Sequence, residues 1–210
     1  MVSLKNIVCI SSVSLLLLAG ASALAQSAAP RETVSAQVGS AEVTIEYGRP
    51  ALKGRNVSDL MQQLPADRMW RAGSEQVTTL TTTAPIELGG TVVPAGKYSL
   101  YLHCPEDGPY AVALNKVLGQ PLKKIWDAAP PQLANEPWPH FNYQAEIGDQ
   151  EVVRAPMTQS GSEQSVDLFT ISLAPKGNAA EMKMAWGNQV WSLDMKSAGS
   201  AGSMPEGSYY

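Results

Sequence analysis

Apolar and polar positions alternate with a period of two along most of the chain, the spacing of strands that bury one face. In 41–47, Ala41, Val43, Ile45 and Tyr47 fall on one side with Glu42, Thr44 and Glu46 between them. The run 33–38 precedes it across Gly39-Ser40, which predicts a hairpin. Segment 97–103 repeats the pattern after the turn Pro94-Ala95-Gly96, with Tyr98, Leu100 and Leu102 facing one way and Ser99, Tyr101 and His103 the other. Further strands are predicted at 110–115, 151–155, 166–173, 181–186 and 189–195. The last two flank Gly187-Asn188, a pair suited to a two-residue hairpin turn, so Trp186 and Trp191 would sit at opposite ends of a tight hairpin and cover one end of the core.

Short strands between Gly, Pro and Asn turns, with no helix alternating among them, predict an all-β fold: an antiparallel β-sandwich of jelly-roll or immunoglobulin-like type. One short helix is expected, with Ser58 as N-cap, running over 59–64 until Pro65 stops it. It lies inside a long loop, 48–75. A second irregular stretch, 127–141, carries Pro130, Pro131, Pro137 and Pro139 around Trp138. That spacing fits neither helix nor central strand, but a loop that packs across a sheet edge or serves as a lid or partner contact.

The two ends change the picture. Lys5 followed by the apolar run 7–18 and by Ala23-Leu24-Ala25 reads as a signal peptide over 1–25, so the protein is expected to be exported, periplasmic or extracellular. No membrane span is expected after cleavage. Residues 26–32 are expected to be loose, 33–196 to form the single folded domain, and the small-residue stretch 197–210 to be a flexible tail whose Tyr209-Tyr210 end is a conceivable docking tag. Cys9 leaves with the leader, so Cys104 stands alone and no internal disulfide can form. With 210 residues, 44% apolar and 16% charged, the chain can build a core by burial alone. The formal charge of −4 becomes −5 once Lys5, the one charged residue of the leader, is removed; nucleic acid is therefore excluded as a partner.

Against this acidic background the loop 48–75 gathers Arg49, Lys53, Arg55, Arg68 and Arg71 with few acids among them. Planar guanidinium groups of that kind can frame a carboxylate or phosphate. They can equally bond loop carbonyls and strand glutamates such as Glu42 and Glu46, fixing an irregular segment on the sandwich.

These residues also carry a resemblance. Gly48-Arg49-Pro50, then Lys53-Gly54-Arg55, then Trp70-Arg71-Ala72-Gly73 before Thr78-Thr79, with Pro94-Ala95-Gly96, Tyr98 and Leu100 further on, resembles the exported bacterial family named domain of unknown function 2911. The similarity runs from about Ser35 to Asp194 and takes in 112–115, Trp126 and Trp186. It implies an exported β-sandwich of unestablished activity. Two departures stand out. Glu75-Gln76 follows the Trp-Arg-x-Gly element where the family usually has Asn then Glu, and Asn56-Val57-Ser58 replaces the usual Ile-Phe-Gly.

A binding pocket built on this loop would use Trp70 as a platform, Arg49, Arg55 and Arg71 toward an anion, and Glu75 or Asn115 toward a hydroxyl, to hold a sugar acid or a peptide carboxylate. Without a ligand, Trp70 plugs an open end of the sandwich and Arg71 stacks above it. Metal donors are sparse: His103 and Cys104 are adjacent, so they face opposite sides of a strand, and His140 is a loop residue. No metal or cofactor is expected. The favoured expectation is a non-catalytic binding or accessory module for a small anionic or sugar-like ligand. The alternatives are a hydrolase or isomerase using Glu75 with an arginine, and a structural protein that docks on another envelope protein.

Overall fold

The computed structural model describes residues 29–198, and the expected leader and the end of the expected tail lie outside them. The chain runs through β1 (Arg31–Val38), β2 (Ala41–Gly48), α1 (Val57–Gln62), β3 (Met69–Trp70), β4 (Thr79–Thr82), β5 (Ile86–Leu88), β6 (Thr91–Val93), β7 (Gly96–His103), β8 (Ala111–Asn115), β9 (Gln120–Pro121), β10 (Pro137–Trp138), α2 (Tyr143–Glu146), β11 (Glu151–Pro156), β12 (Thr158–Lys176) and β13 (Ala179–Ser197). Pairing is antiparallel throughout. One sheet has the order β1-β2-β4-β7-β8-β11 with β3 also on β7, and a second has the order β12-β13-β5-β6.

The two sheets face each other across one core, as a sandwich should. Val43, Ile45, Tyr47, Leu80, Leu100, Leu102, Val112 and Leu114 from the first meet Ile86, Leu88, Val93, Phe169, Ile171, Met182, Met184 and Trp191 from the second. The alternation in β2 holds as read: its odd positions are buried and Glu42 is exposed. β7 departs from the one-sided expectation, because 98–102 are buried on both faces. The outer face of β7, through Tyr101, joins Met69, Ala113, Tyr143 and Ile147 in a second, smaller core beneath α2. That second core is what anchors the segment from Pro139 to Glu146 to the sheet.

Three local expectations are corrected. Gly187-Asn188 is not a hairpin turn, since β13 is continuous and Gly187 pairs with Val166 on β12; the turn between these strands is at Gly177-Asn178. The positive φ of Gly187, 58°, is absorbed in an irregularity of the ladder instead. Trp186 and Trp191 therefore lie on a single strand and stack on different partners, Trp186 on Trp70 with ring centroids 5.2 Å apart and Trp191 on Tyr110 at 5.3 Å. The N-cap of α1 is Asn56 rather than Ser58: its carboxamide oxygen accepts from Ser58 N at 2.9 Å, and the helix begins two residues before the expected start. β1 begins at Arg31 and Ser197 still pairs with Ile86, so the sheets reach slightly past the expected limits of 33 and 196.

Candidate functional site

The site begins with an interruption in one strand. β3 and β4 pair with the same side of β7, Trp70 opposite Leu102 and Thr79 opposite Ser99, so residues 71–78 are extruded where only Leu100 and Tyr101 lie opposite. The extrusion carries backbone strain, with Ala72 at φ 47° and Glu75 at φ 59°, a region that costs residues with a Cβ about 1–2 kcal/mol each. Close packing holds it in place. A Cβ at Gly48 would collide with the Ser74 carbonyl oxygen and hydroxyl, and one at Gly73 would come within 2.8 Å of Thr78 Oγ1 and 3.0 Å of the Gly48 carbonyl. Thr78 Oγ1 donates to the Ala72 carbonyl at 2.9 Å. The Gly-Arg-Pro and Trp-Arg-x-Gly elements, distant in sequence, are thus two halves of one backbone junction.

Beside this junction lies a cleft of about 320 Å³, at the small end of ligand sites. Leu60, Met61 and Leu64 of α1 and its exit, together with Trp70, Trp186 and Phe141, make up most of its apolar lining. Trp70 is fixed on two sides: parallel to Trp186, with ring planes 4° apart, and edge-on to Phe169 at 4.8 Å. The polar lining consists of Arg55, Arg71, Ser74 and His140.

Arg71 is the unusual member. It is largely desolvated, which pushes its pKa below the ordinary arginine value, Glu75 and Tyr101 opposing the shift in part. It remains a cation at neutral pH. Yet it enters no salt bridge among the described residues. Its Nε donates to the Gly73 carbonyl at 3.3 Å and its guanidinium lies 5.6 Å from the Phe141 ring centroid. A half-buried guanidinium outside any salt bridge is an invitation to an anion.

Two residues of the lining carry a buried polar atom without a hydrogen-bond partner, Ser74 Oγ and His140 Nε2. His140 is held at both ends of the residue. Its backbone N–H donates to the Tyr101 hydroxyl at 2.9 Å, and its Nδ1 meets Glu146 Oε2 at 2.5 Å. The hydrogen bond from His140 holds the Glu146 carboxyl below the usual carboxylate range, burial opposing it in part. Glu146 is therefore the acceptor of the hydrogen bond from Nδ1, and Nε2 at the far side of the ring is buried without a partner.

Of the residues singled out from the sequence, the cleft brings together Arg55, Trp70 and Arg71. Arg55 is half committed to its own loop, donating to Leu52 O at 2.9 Å and Ala51 O at 3.0 Å. Arg49 lies elsewhere: it pairs with Glu32 at 2.8 Å and donates to Phe169 O and Thr170 Oγ1, tying the edge of the first sheet to β12. Glu75 is not part of the lining, and its carboxylate accepts from Ala29 N at 3.0 Å. Asn115 is fully buried under α2, donating to Ile147 O and to the Tyr143 hydroxyl and accepting from Val117 N. Sequence reasoning missed Ser74, His140, Glu146 and Phe141. The one local signal was His140 between Pro139 and Phe141 in the proline-rich loop. Among the described residues no group of three or more His, Cys, Asp or Glu side chains is placed to hold a metal.

A family model spans residues 29–195, which takes in both sheets, the extruded segment and every residue lining the cleft. The chain belongs to DUF2911, a family described as proteins of unknown function. No curated protein and no solved structure matches it. Within the DUF2911 region the Gly-Arg-Pro and Trp-Arg-x-Gly elements meet at the junction described above, so the motifs by which the resemblance is read are also the ones that set Arg71 into the cleft.

Proposed function

We propose that this protein is an exported binding protein of the envelope whose cleft takes a small carboxylate with a flat apolar or sugar-like body. The observation that carries this is Arg71: a largely desolvated guanidinium, in no salt bridge among the described residues, that lines a cleft walled by Trp70, Trp186 and Phe141. A carboxylate there would gain charge-assisted hydrogen bonds while its body covers Trp70, Leu60 and Met61. The volume favours a ligand the size of a single ring over a longer chain. Exported location rests on the leader pattern of 1–25.

Thermal unfolding with benzoate, phenylacetate, glucuronate and short peptides tests the reading. At least one carboxylate should raise the midpoint saturably, and Arg71→Met should remove most of that rise. Equal shifts in wild type and Arg71→Met, or no shift with any carboxylate, would overturn it. Glu75, outside the cleft lining, gains no support as an acid–base group.

A further inference from the structure

The proline-rich stretch reaches the cleft only at its end, through His140 and Phe141. Before that end, 116–136 form an excursion between β8 and β10, none of whose residues lines the cleft. We infer that this excursion docks on an anionic lipid surface, with Ile125, Trp126 and Leu133 entering the interfacial layer and Lys123 and Lys124 meeting the headgroup phosphates.

Three observations carry it. The first is where large apolar side chains meet water. Trp126 is 51% exposed, Leu133 41%, Leu118 39% and Ile125 37%, so one excursion supplies four of the six large exposed hydrophobics among the described residues, Val92 and Phe141 being the others. The second is that the excursion is held by its own backbone. Leu122 is buried beneath it, Leu122 N donates to Glu136 O at 3.1 Å and Lys123 N to Ala134 O at 3.0 Å, which brings Leu133 alongside the turn 123–126. Trp126 N closes that turn on Leu122 O at 2.9 Å, and Ala129 N bonds to Trp126 O at 3.0 Å. Exposure of Trp126 therefore belongs to a hydrogen-bonded turn. The third observation is charge. Between Asn115 and Asp127 the chain has Lys116, Lys123 and Lys124 and no acid, in a protein whose formal charge of −4 falls to −5 once Lys5 is removed. All three are exposed and none enters a salt bridge among the described residues, whereas Lys97, Lys176 and Lys183 each have a carboxylate partner. Of the acids that follow, Asp127 is exposed and Glu136 accepts a hydrogen bond from Gln76 Nε2.

Lipid suits this surface better than a protein partner does. A stable protein–protein interface takes about 20–30 residues a side, with lysines depleted from its apolar centre. Here three apolar tips and two unpaired lysines share one short turn and the strand of chain beside it. A bilayer asks for no more than that: an indole at headgroup depth, aliphatic tips next to it, and ammonium groups on long stems that reach the phosphates give reversible, peripheral attachment. The lysines also set the orientation. Their attraction acts within about a Debye length of the surface, while the acidic remainder of the protein is repelled, so the excursion meets the lipid first.

The test is flotation of the protein, freed of residues 1–25 whose apolar run would itself enter lipid, with vesicles of phosphatidylcholine alone or with about a third of phosphatidylglycerol. At low ionic strength the protein should float with the anionic vesicles and far less with the neutral ones, and about 1 M salt should remove the difference. Lys123→Gln and Lys124→Gln should each weaken partition about fivefold, and Lys123→Arg should keep it. Trp126→Ser should weaken it by a similar factor at any salt concentration, whereas Val92→Ser, at an equally exposed apolar position on β6, should leave it unchanged. These side chains are exposed, so every variant should melt within about 2 °C of wild type. No flotation with anionic vesicles at low salt would overturn the inference, as would partition equal to wild type when Lys123→Gln, Lys124→Gln and Trp126→Ser are combined. Self-association without lipid that Trp126→Ser abolishes would overturn it in favour of a second copy of the chain as the occupant.

Discussion

Arg49 and Arg71 belong to the same basic loop, and the structure predicts opposite consequences for removing them. Arg71→Met deletes one long hydrogen bond, to Gly73 O at 3.3 Å, worth about 0.5–1.5 kcal/mol, and a half-exposed contact with the Phe141 ring worth about 0.5–1 kcal/mol. Against that, it relieves the desolvation of a charge that enters no salt bridge among the described residues and that Glu75 offsets only in part, about 1–3 kcal/mol. The net change should lie within about 1 kcal/mol of zero, a midpoint shift of no more than about 2–4 °C at this chain length. Arg49→Met loses the 2.8 Å pair with Glu32 together with hydrogen bonds to Phe169 O and Thr170 Oγ1 that join the sheets, and should cost about 2–4 kcal/mol. Ligand binding should invert the ranking. At a carboxylate concentration of about 100 times Kd, wild type gains about 2.7 kcal/mol of apparent stability. Loss of charge-assisted bonds worth about 1.5–3 kcal/mol weakens binding about 10- to 150-fold, which leaves Arg71→Met a gain of at most about 1.4 kcal/mol at the same concentration. Arg49→Met should keep the full gain on its lower baseline. Calorimetric or fluorescence melts of both variants, with and without ligand, decide the matter. If Arg71→Met proves the more destabilising variant and Arg49→Met the one that loses the ligand shift, the assignment of these two side chains is refuted.

Further predictions concern the scaffold. Gly187→Val places a branched side chain at φ 58° where a Cβ already comes within 3.1 Å of Val57 Cγ2 and 3.3 Å of Leu52 Cδ1, so it should destabilise by about 2–3 kcal/mol and loosen α1 in hydrogen exchange; protection of α1 equal to wild type would contradict that packing. Cys104 is fully buried and its thiol pKa is pushed far up by burial, so the native protein should resist iodoacetamide and react only on unfolding; rapid labelling under native conditions would refute this. Glu46 has its pKa lowered chiefly by the hydrogen bond from Lys97, so its contribution should be present in full above about pH 4.3 and be lost as pH falls through its lower folded value. Because both partners are about half exposed, Glu46→Gln should cost no more than about 1 kcal/mol at neutral pH and nothing in acid, which paired melts at the two pH values would show.

The fold was legible wherever one strand face met the core. Period-two alternation identified β2 because Glu42 faces water while Ala41, Val43, Ile45 and Tyr47 are buried. It misjudged β7, because a strand covered on both faces by the main core and by the core under α2 does not need polar residues between its apolar ones, and Tyr101 serves both purposes. Gly187-Asn188 carried a genuine local signal for a turn, but the ladder of β12 and β13 outweighed it, and the positive φ that such a pair offers was used to make room for Val57 and Leu52. Local preference proposes; pairing across the sheet decides.

The site was legible only in its contiguous part. Trp70 and Arg71 announce themselves because they are adjacent and lie two residues before a glycine, whereas Ser74 and His140 are ordinary residues until the fold brings them to the same cleft. The same topology explains why the strained segment is there. A direct continuation of β3 into β4 would have put Arg71 and Ser74 in register on β7, their side chains spent on the sheet; extrusion of 71–78 costs strain at Ala72 and Glu75, leaves Arg71 with a single hydrogen bond to the Gly73 carbonyl and leaves the Ser74 hydroxyl without a partner. Gly48 and Gly73 are the two positions at which that excursion can be closed, since each lies where another backbone leaves no space for a Cβ. The glycines of the two motifs are therefore best understood as the means of holding Arg71 out of the sheet, and a chain that kept Arg71 but replaced Gly48 with alanine should lose carboxylate binding along with the junction that aims it.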